Sequence, residues 1–327
     1  MVNTQVAVSA ATAVGLIYSM RTCEWMTFVA LVIVPGVLYA LLAEQTKATK
    51  LRGKTVLVTG SSSGLGLALA REAAKRGAAK VVLASRTKAA LEAAAKLCAG
   101  DATHGSFEAV VAPCDVTKPD DVRALLKELP PVDVLVNNAG AGAWKHVEET
   151  TPEEAYGMMA CPYQAAFTMT SLLVPTMVAR ATDCHVVNVT SAASEVGFRG
   201  AVGYATARWA MRGFSRMLAQ DLKQLGIGVT HLNAAEISGT SYFSDAPGKA
   251  GAASHAKIPY LFQLVDGMGL NYTTTQVAAA ALDGVEKGWS TVLVPGFLLI
   301  PTKMVADVVP CFLEFLCGLG PAGRRAI

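Results

Sequence analysis

Short apolar segments that alternate with helical stretches constrain the fold of this chain more than any other feature. Most of the intervening stretches are rich in alanine, leucine, lysine and glutamate, as at 67–76, 88–97 and 122–129. Strands that alternate with helices form crossover units, which build a parallel sheet with helices on both faces. The sequence therefore predicts a doubly wound α/β fold in a single domain. The strands are predicted at 55–59, 80–84, 107–112, 132–136, 185–189, 228–232 and 291–294.

A glycine-rich loop joins the first predicted strand to the first predicted helix. It reads TGSSSGLG at 59–66, with the spacing G-x-x-x-G-x-G. Glycines permit a tight turn and a close backbone approach, and the N-terminus of the next helix offers free N–H groups to a pyrophosphate. Because this loop follows a strand and opens a helix, it predicts a dinucleotide site of the Rossmann type.

The residues after the second predicted strand indicate which dinucleotide binds. An acidic side chain there would accept hydrogen bonds from a ribose hydroxyl and select NAD. This chain has Ser85 and Arg86 instead. Because a guanidinium pairs with a 2′-phosphate, the sequence predicts NADP(H) as the cofactor.

Four further motifs follow the glycine-rich loop. They read CDVT at 114–117, NNAG at 137–140, VTS at 189–191 and YATAR at 204–208. Together with the loop, they resemble the motifs of the short-chain dehydrogenase/reductase family, and the resemblance covers about residues 51–297. It implies a Rossmann-fold oxidoreductase that uses a nicotinamide cofactor.

The resemblance also implies a set of cofactor-binding residues. Asp115 is expected to contact the adenine ring, and the NNAG segment is expected to line the cofactor and stiffen the sheet. Ile237 and Thr240 are expected near the nicotinamide amide and the phosphates. The full predicted set is Gly60, Ser62, Ser63, Gly64, Leu65, Gly66, Arg86, Asp115, Val116, Asn138, Ala139, Gly140, Tyr204, Arg208, Ile237 and Thr240.

The predicted catalytic residues are Ser191, Tyr204 and Arg208. Ser191 lies 13 residues before Tyr204, the spacing that the family's serine–tyrosine pair has. Reduction of a ketone needs a hydride from the nicotinamide and a proton, which Tyr204 would supply while Ser191 holds the carbonyl oxygen. A tyrosine is a poor base at neutral pH because its ordinary pKa is about 10, and a nearby cation favours the phenolate.

The sequence departs from the family pattern at three places. Arg208 replaces the lysine four residues after the tyrosine; it keeps the charge and can donate to ribose hydroxyls, but it cannot relay a proton. Pro162 stands where the family has an asparagine that supports a water chain to that lysine. Ala234 and Ala235 replace the Pro-Gly that usually follows the sixth strand.

These departures leave two functions open. The first is an NADP(H)-dependent oxidoreductase that interconverts a ketone and a secondary alcohol on a lipophilic substrate. The second is a catalytically impaired relative that serves as a nucleotide-binding or structural subunit of a membrane complex. The surviving serine, tyrosine and cofactor loop favour the first function.

The N-terminal region, residues 1–46, is predicted to be a membrane anchor. Hydrophobic residues make up 52% of the chain and charged residues 16%, against about 25% charged in ordinary soluble domains. Residues 25–42 carry no charge and are long enough to cross a bilayer, so one transmembrane helix is predicted at about 25–43. A second apolar stretch at 6–18 is a further hydrophobic helix, an interfacial helix or part of a targeting peptide.

The charges that flank this span predict its orientation. Lys47, Lys50, Arg52 and Lys54 follow it, whereas only Arg21 precedes it. Because lysine and arginine accumulate on the cytosolic side of membrane helices, the domain at 47–300 is expected in the cytosol. The expected location is the endoplasmic reticulum membrane, or alternatively an organellar inner membrane.

The C-terminal tail, residues 301–327, is predicted to be amphipathic. It caps a substrate pocket, lies on the membrane as an interfacial helix, or packs on the domain. The irregular segment at 241–264 stands where this family carries its substrate lid. Together with the anchor, it favours a keto-lipid, steroid or retinoid substrate. The layout is similar to that of 3-ketodihydrosphingosine reductases and membrane-bound steroid dehydrogenases.

Charge and cysteine usage exclude other classes of partner. The net charge is +3 without a long basic run, so no nucleic-acid partner is expected. Seven scattered cysteines without a C-x-x-C motif indicate reduced thiols, and the five histidines have no ligand spacing, so no metal site is predicted. The expected partners are the lipid bilayer, a lipophilic small molecule and either a second copy of the chain or a membrane complex.

Overall fold

The computed structural model describes residues 45–308, except 141, 181–182, 198, 245–249, 256, 260–262, 264–267 and 269–270. The predicted membrane segments at 6–18 and 25–43 lie outside these residues, as does most of the predicted tail. Within the described part of the chain, no helix combines the length and the apolar character needed to cross a bilayer.

A seven-stranded, fully parallel sheet forms the centre of the fold and confirms the predicted α/β class. Its strand order is β3-β2-β1-β4-β5-β6-β9. The middle of β1, Val56–Val58, is completely buried because helices cover both faces of the sheet. The strands of this sheet are β1 (Thr55–Thr59), β2 (Lys80–Ser85), β3 (Glu108–Pro113), β4 (Val134–Asn137), β5 (His185–Ser191), β6 (Gly228–Ala234) and β9 (Thr291–Val294).

A second, very short parallel pair lies outside the main sheet and was not predicted. It consists of β7 (Ile237–Ser238) and β8 (Tyr272–Thr273). Two-residue strands leave no periodicity in the sequence, which explains the difference.

Helices cover the sheet in two layers, each with its own hydrophobic core. Their bounds are α1 (Gly64–Lys75), α2 (Lys88–Asp101), α3 (Pro119–Glu128), α4 (Pro152–Met159), α5 (Ala165–Ala179), α6 (Val202–Lys223), α7 (Ala252–His255), α8 (Thr274–Lys287) and α9 (Gly296–Val308). One core contains side chains of α1, α2 and α8, and the other contains side chains of α3, α5 and α6. The helix α9 runs across residue 300, where the sequence predicts that the domain ends.

The ends of α8 show how local sequence sets these bounds. Thr273 accepts a hydrogen bond from the backbone N of Gln276 at 3.3 Å, and Gln276 Oε1 accepts one from the backbone N of Thr273 at 2.8 Å. This reciprocal capping box satisfies N–H groups that the first turn leaves free. Gly288, with a φ of 71°, ends the helix in the left-handed conformation that glycine adopts without strain.

The segment before β1 packs along the amino edge of the sheet. The backbone N of Thr46 donates to Gly288 O at 2.9 Å, and that of Thr49 donates to Val285 O at 3.0 Å. Thr46 Oγ1 accepts a hydrogen bond from the backbone N of Val229 at 2.9 Å. The chain therefore enters the domain at the edge opposite to the carboxyl ends of the strands.

Candidate active site

The carboxyl ends of the central strands open onto one cavity of about 490 Å³. In open parallel sheets, ligands bind at this edge, where the strand order reverses. Every residue that the sequence assigns to the site lines this cavity, although the role of each stays a prediction. These residues are Gly60, Ser62, Ser63, Gly64, Leu65, Gly66, Arg86, Asp115, Val116, Asn138, Ala139, Gly140, Ser191, Tyr204, Arg208, Ile237 and Thr240.

The glycine-rich loop is tightly packed on its protein side and open on its cavity side. A Cβ atom on Gly66 would lie 2.2 Å from Gly60 O and 2.5 Å from Asn138 Nδ2, so only glycine fits there. At Gly64, where α1 begins, a Cβ atom would meet no described atom within 4 Å, and the φ of 57° again favours glycine. The backbone therefore forms a cradle in front of a helix N-terminus, which suits a phosphate group.

The NNAG segment is fastened directly to this loop. Asn138 Nδ2 donates to Thr59 O at 2.9 Å. Thr59 Oγ1 accepts hydrogen bonds from the backbone N atoms of Asn138 and Ala139, each at 3.0 Å. One threonine hydroxyl thus joins the ends of β1 and β4 beneath the cavity.

A buried polar chain extends from the preceding residue, Asn137, across the sheet. Its Nδ2 donates to Thr170 Oγ1 at 3.0 Å and to Asn188 Oδ1 at 2.9 Å. Asn188 Nδ2 in turn donates to Ser215 Oγ at 3.1 Å. These bonds link β4 and β5 to α5 and α6, and such a satisfied network makes the framework under the site rigid.

The far end of the cavity carries polar groups suited to an adenosine moiety. Asp115 Oδ1 accepts hydrogen bonds from Thr117 Oγ1 at 2.7 Å and from its backbone N at 3.1 Å, and these bonds lower the pKa of Asp115. Arg86 is exposed at the mouth of the cavity. Next to it, the buried Ser85 Oγ has no hydrogen-bond partner among the described residues.

The predicted catalytic residues come from two elements. Ser191 is the last residue of β5, and its Oγ accepts a hydrogen bond from the backbone N of Ala193 at 3.4 Å. Tyr204 and Arg208 lie one turn apart on α6, and each residue is only 6% exposed. The Arg208 Cζ atom lies 4.8 Å from the centre of the Tyr204 ring, so the cation sits against the phenol.

Arg208 is a buried cation without an ion pair in the described part of the chain. Its guanidinium packs against the backbone of Gly140, where a Cβ atom would lie 2.9 Å from Nη2, and its Nε has no described hydrogen-bond partner. Burial lowers the pKa of Arg208, but nearby Tyr204, Tyr242 and Cys161 outweigh this and raise it. Since a buried cation is costly without a partner, the site is suited to hydroxyls or negative charge on a ligand.

A kink separates α4 from α5 beside Arg208. Cys161 there has a φ of −137° and a ψ of 110°, and a π-helical turn, Ala160–Gln164, surrounds it. The cause is Pro162, which excludes the preceding residue from the helical region. Pro162 is buried, whereas Cys161 lines the cavity and was not predicted to do so. Burial raises the pKa of the Cys161 thiol.

An aromatic wall surrounds Tyr204 at the other end of the cavity. The ring centre of Trp144 lies 5.5 Å from that of Tyr204, and the ring centre of Tyr242 lies 6.2 Å from it. Tyr242 also contacts Phe243 at 4.8 Å between ring centres, and its hydroxyl donates to Gly142 O at 3.0 Å. Burial raises the pKa of Tyr242 well above its usual range.

The sequence placed a lid at 241–264 but did not single out Tyr242 or Phe243 within it. Irregular loops have no periodicity, so nothing in the sequence indicated which of their side chains turn toward the site.

Comparisons of the sequence with known proteins identify a family and several relatives. A sequence model of the family described as short chain dehydrogenase matches residues 54–247. The 3-dehydrosphinganine reductase TSC10B of Arabidopsis thaliana is 29% identical over 248 residues, which cover 75% of this chain and 71% of that protein. A dehydrogenase/reductase SDR family protein 7-like of Anopheles gambiae is 31% identical over 240 residues, covering 68% of this chain and 75% of that protein.

Two solved structures share the fold at low sequence identity. A short-chain dehydrogenase/reductase from Burkholderia phymatum in complex with NAD has a TM-score of 0.65 and 21% identity, over 79% of this chain and 95% of that chain. A metagenomic short-chain oxidoreductase in complex with NADP has a TM-score of 0.58 and 22% identity, over 75% of this chain and 97% of that chain.

Proposed function

The chain belongs to the short-chain dehydrogenase/reductase family, a family of oxidoreductases, and we propose that it interconverts a ketone and a secondary alcohol on a lipophilic substrate with NADP(H). One observation carries this proposal. The fold brings Ser191, Tyr204 and a buried cation, Arg208, onto the same cavity as the glycine cradle. A structural subunit would have no need for this combination.

The residues present fit a dinucleotide. The backbone at Gly64 would hold the pyrophosphate, Asp115 the adenine, and Arg86 with Ser85 the 2′-phosphate. Arg208 would donate to ribose hydroxyls, which would satisfy its Nε atom, an atom without a hydrogen-bond partner in the described part of the chain. When bound, the nicotinamide supplies a hydride to the carbonyl carbon, or accepts one in the reverse direction.

The protein's own residues handle the oxygen and the proton. Ser191 would donate a hydrogen bond to the carbonyl oxygen, and Tyr204 would transfer its hydroxyl proton to that oxygen as the alcohol forms. The charge of Arg208 against the ring would stabilise the negative charge left on Tyr204. Because a guanidinium does not give up a proton, Tyr204 must recover its proton from water.

The aromatic wall supports a lipophilic substrate. Trp144, Tyr242, Phe243 and Ile258 belong to the same apolar cluster as Tyr204 and line the cavity with it. Apolar pockets with a few placed polar groups bind apolar ligands by excluding water. A relative named 3-dehydrosphinganine reductase is consistent with a long-chain keto-lipid, and steroids and retinoids share this chemistry.

We further propose that the protein is anchored by a single span at 25–43, with the domain on the cytosolic side of the endoplasmic reticulum membrane. The absence of charge over 25–42 and the lysines that follow support this arrangement. An anchored enzyme would take its substrate from the lipid phase.

Turnover is tested on the full chain in mild detergent, with NADPH and a panel of lipophilic ketones. We expect NADPH oxidation, followed at 340 nm, that depends on a ketone and yields the corresponding alcohol. Retained NADPH binding without turnover of any ketone would instead support the role of a nucleotide-binding subunit.

Arg86 should determine the choice of coenzyme. In Arg86→Ala the Kd for NADPH should rise about tenfold to a hundredfold, because a hydrogen bond to a charged group contributes about 1.5–3 kcal/mol. The Kd for NADH should not change. Lys88→Ala, two residues further along and outside the cavity lining, is the matched control. Equal losses for the two coenzymes would contradict this role.

Exposed apolar side chains on α5 and α6 support a homodimer. Phe167 is 50% exposed and Met217 is 63% exposed, and Phe167 contacts Phe214 across the two helices at 5.7 Å between ring centres. Large exposed apolar surfaces commonly mark protein interfaces. We propose that two copies of the chain associate through this face.

Charged substitutions on this face should separate the two copies. The double variant Phe167→Glu/Met217→Glu should have the mass of a monomer by light scattering in mild detergent, because burying two carboxylates is costly. Leu97→Glu, on the exposed side of α2, should remain a dimer. A monomer mass for the unmodified protein would refute the proposal.

A further inference from the structure

The face of α6 that carries the catalytic residues continues beyond the cavity. Tyr204, Arg208 and Arg212 follow one another at intervals of four residues and therefore lie on one side of the helix. All three are buried, but Arg212 does not line the cavity. Its guanidinium instead reaches two other elements.

Arg212 joins the turn after Ser191 to the last described helix. Its Nη1 donates to Ser194 O at 3.1 Å. Its Nη2 lies 2.9 Å from Glu195 Oε2 and 3.2 Å from Asp307 Oδ1. One guanidinium thus contacts the 3₁₀ turn Ala192–Ser194, the residue after it, and α9.

Glu195 is the centre of this buried group of charges. Its side chain is only 2% exposed, and its Oε1 accepts a hydrogen bond from Asn233 Nδ2 on β6 at 2.8 Å. Lys303 Nζ lies 3.7 Å from Glu195 Oε2 and 2.6 Å from Asp307 Oδ2. Two cations therefore face two carboxylates, and removal of Arg212 would leave the buried Glu195 carboxylate with only the more distant Lys303 as a charged partner.

The turn held by Arg212 also fixes the Ser191 side chain. Ser191 Oγ accepts a hydrogen bond from the backbone N of Ala193 at 3.4 Å, and Ser194 Oγ donates to Ser191 O at 2.8 Å. Through its contacts with Ser194 and Glu195, Arg212 connects the helix that carries Tyr204 to the turn that follows Ser191.

We propose that Arg212 and Glu195 are positioning residues for the reaction, and that docking of α9 through Lys303 and Asp307 completes the placement of Ser191. The effect on turnover rests on the function proposed above, whereas the coupling between α9 and the serine turn does not. None of the four residues lines the cavity. They act through Ser191 and Tyr204 without contacting substrate or cofactor.

Hydrogen exchange on the full chain in detergent tests the coupling directly. In Arg212→Met, amides at 191–195 and 296–308 should exchange about tenfold faster or more, because a buried charge loses its partner. Amides in β1 and β2 should be unchanged. Arg216→Met, at an exposed arginine one turn further along α6, is the control. Unchanged exchange in both segments, or an increase spread evenly over the chain, would overturn the proposal.

Two further variants keep the proposal testable if Arg212→Met does not fold. Asp307→Asn removes only the half-exposed partner on α9 and should accelerate exchange in the same two segments to a smaller extent. Arg212→Lys keeps the cation but not the forked geometry, so its amides in the same two segments should exchange faster than those of the unmodified protein. No change in either variant would overturn the coupling.

Steady-state kinetics distinguish a positioning role of Arg212 from a general loss of stability. Arg212→Met and Asp307→Asn should lower kcat while the KM for the ketone and the Kd for NADPH stay within about twofold, because ground-state binding is untouched. Parallel losses of kcat and NADPH affinity would indicate a purely structural role and overturn the proposal. If the unmodified protein reduces no ketone, the proposed function fails, and hydrogen exchange still decides the coupling.

Discussion

Tyr204→Phe should abolish ketone reduction while leaving the cofactor site intact. The substitution removes only the hydroxyl, and the ring still packs against Arg208 and Trp144. We expect kcat to fall about a hundredfold to ten-thousandfold, the usual contribution of a positioned proton donor. The Kd for NADPH should change by less than about threefold, because the ring contacts remain.

The controls for this variant separate chemistry from folding. Tyr156→Phe changes a tyrosine on α4 that is 75% exposed, and it should leave kcat unchanged. Ser191→Ala should also lower kcat, because the carbonyl oxygen loses a hydrogen bond, by about a hundredfold. If Tyr204→Phe retained a tenth or more of the activity, another group would have to supply the proton.

Gly66→Ala should remove cofactor binding through sterics alone. The new Cβ atom would lie 2.2 Å from Gly60 O and 2.5 Å from Asn138 Nδ2, so the loop, the NNAG segment or both must shift. Inserting a methyl group into a packed site costs about 1–3 kcal/mol. The shift also spoils the cradle at the N-terminus of α1, so we expect the Kd for NADPH to rise at least about a hundredfold.

A matched glycine distinguishes this clash from a general effect of alanine. At Gly100 in α2, a Cβ atom would have no neighbour within 4 Å among the residues that the structure describes. Alanine is favoured over glycine in helices by about 1 kcal/mol, so Gly100→Ala should keep the melting temperature or raise it slightly. Thermal melting and NADPH titration of the two variants provide the comparison. Normal NADPH affinity in Gly66→Ala would contradict the packing described for the loop.

The sheet could be predicted from the sequence because buried parallel strands are almost purely apolar. All seven main strands were found, and the differences lie at strand ends. The strand β5 extends past Val189 to Ser191, because Thr190 and Ser191 pair in register with Asn233 and Ala234. A strand prediction based on apolar runs stops before these polar residues, although they carry Ser191 to the edge of the cavity.

The site was predictable where short motifs encode backbone geometry, and not where distant side chains meet. The glycine loop and Tyr204 with Arg208 are local patterns of a few residues. By contrast, Tyr242 meets Tyr204 only through the fold. The same holds for the ion pair between Arg212 and Glu195, because a lone glutamate near a serine carries no pattern of its own.

Calorimetric titration of NADPH into the full chain in detergent tests the central claim most directly. The glycine cradle, the buried Arg208 and the Ser85 Oγ atom, which has no hydrogen-bond partner among the described residues, predict binding of one NADPH per chain, weaker binding of NADH and a loss of binding in Gly66→Ala. The absence of any NADPH binding by the unmodified chain would contradict both the proposed reaction and its nucleotide-binding alternative.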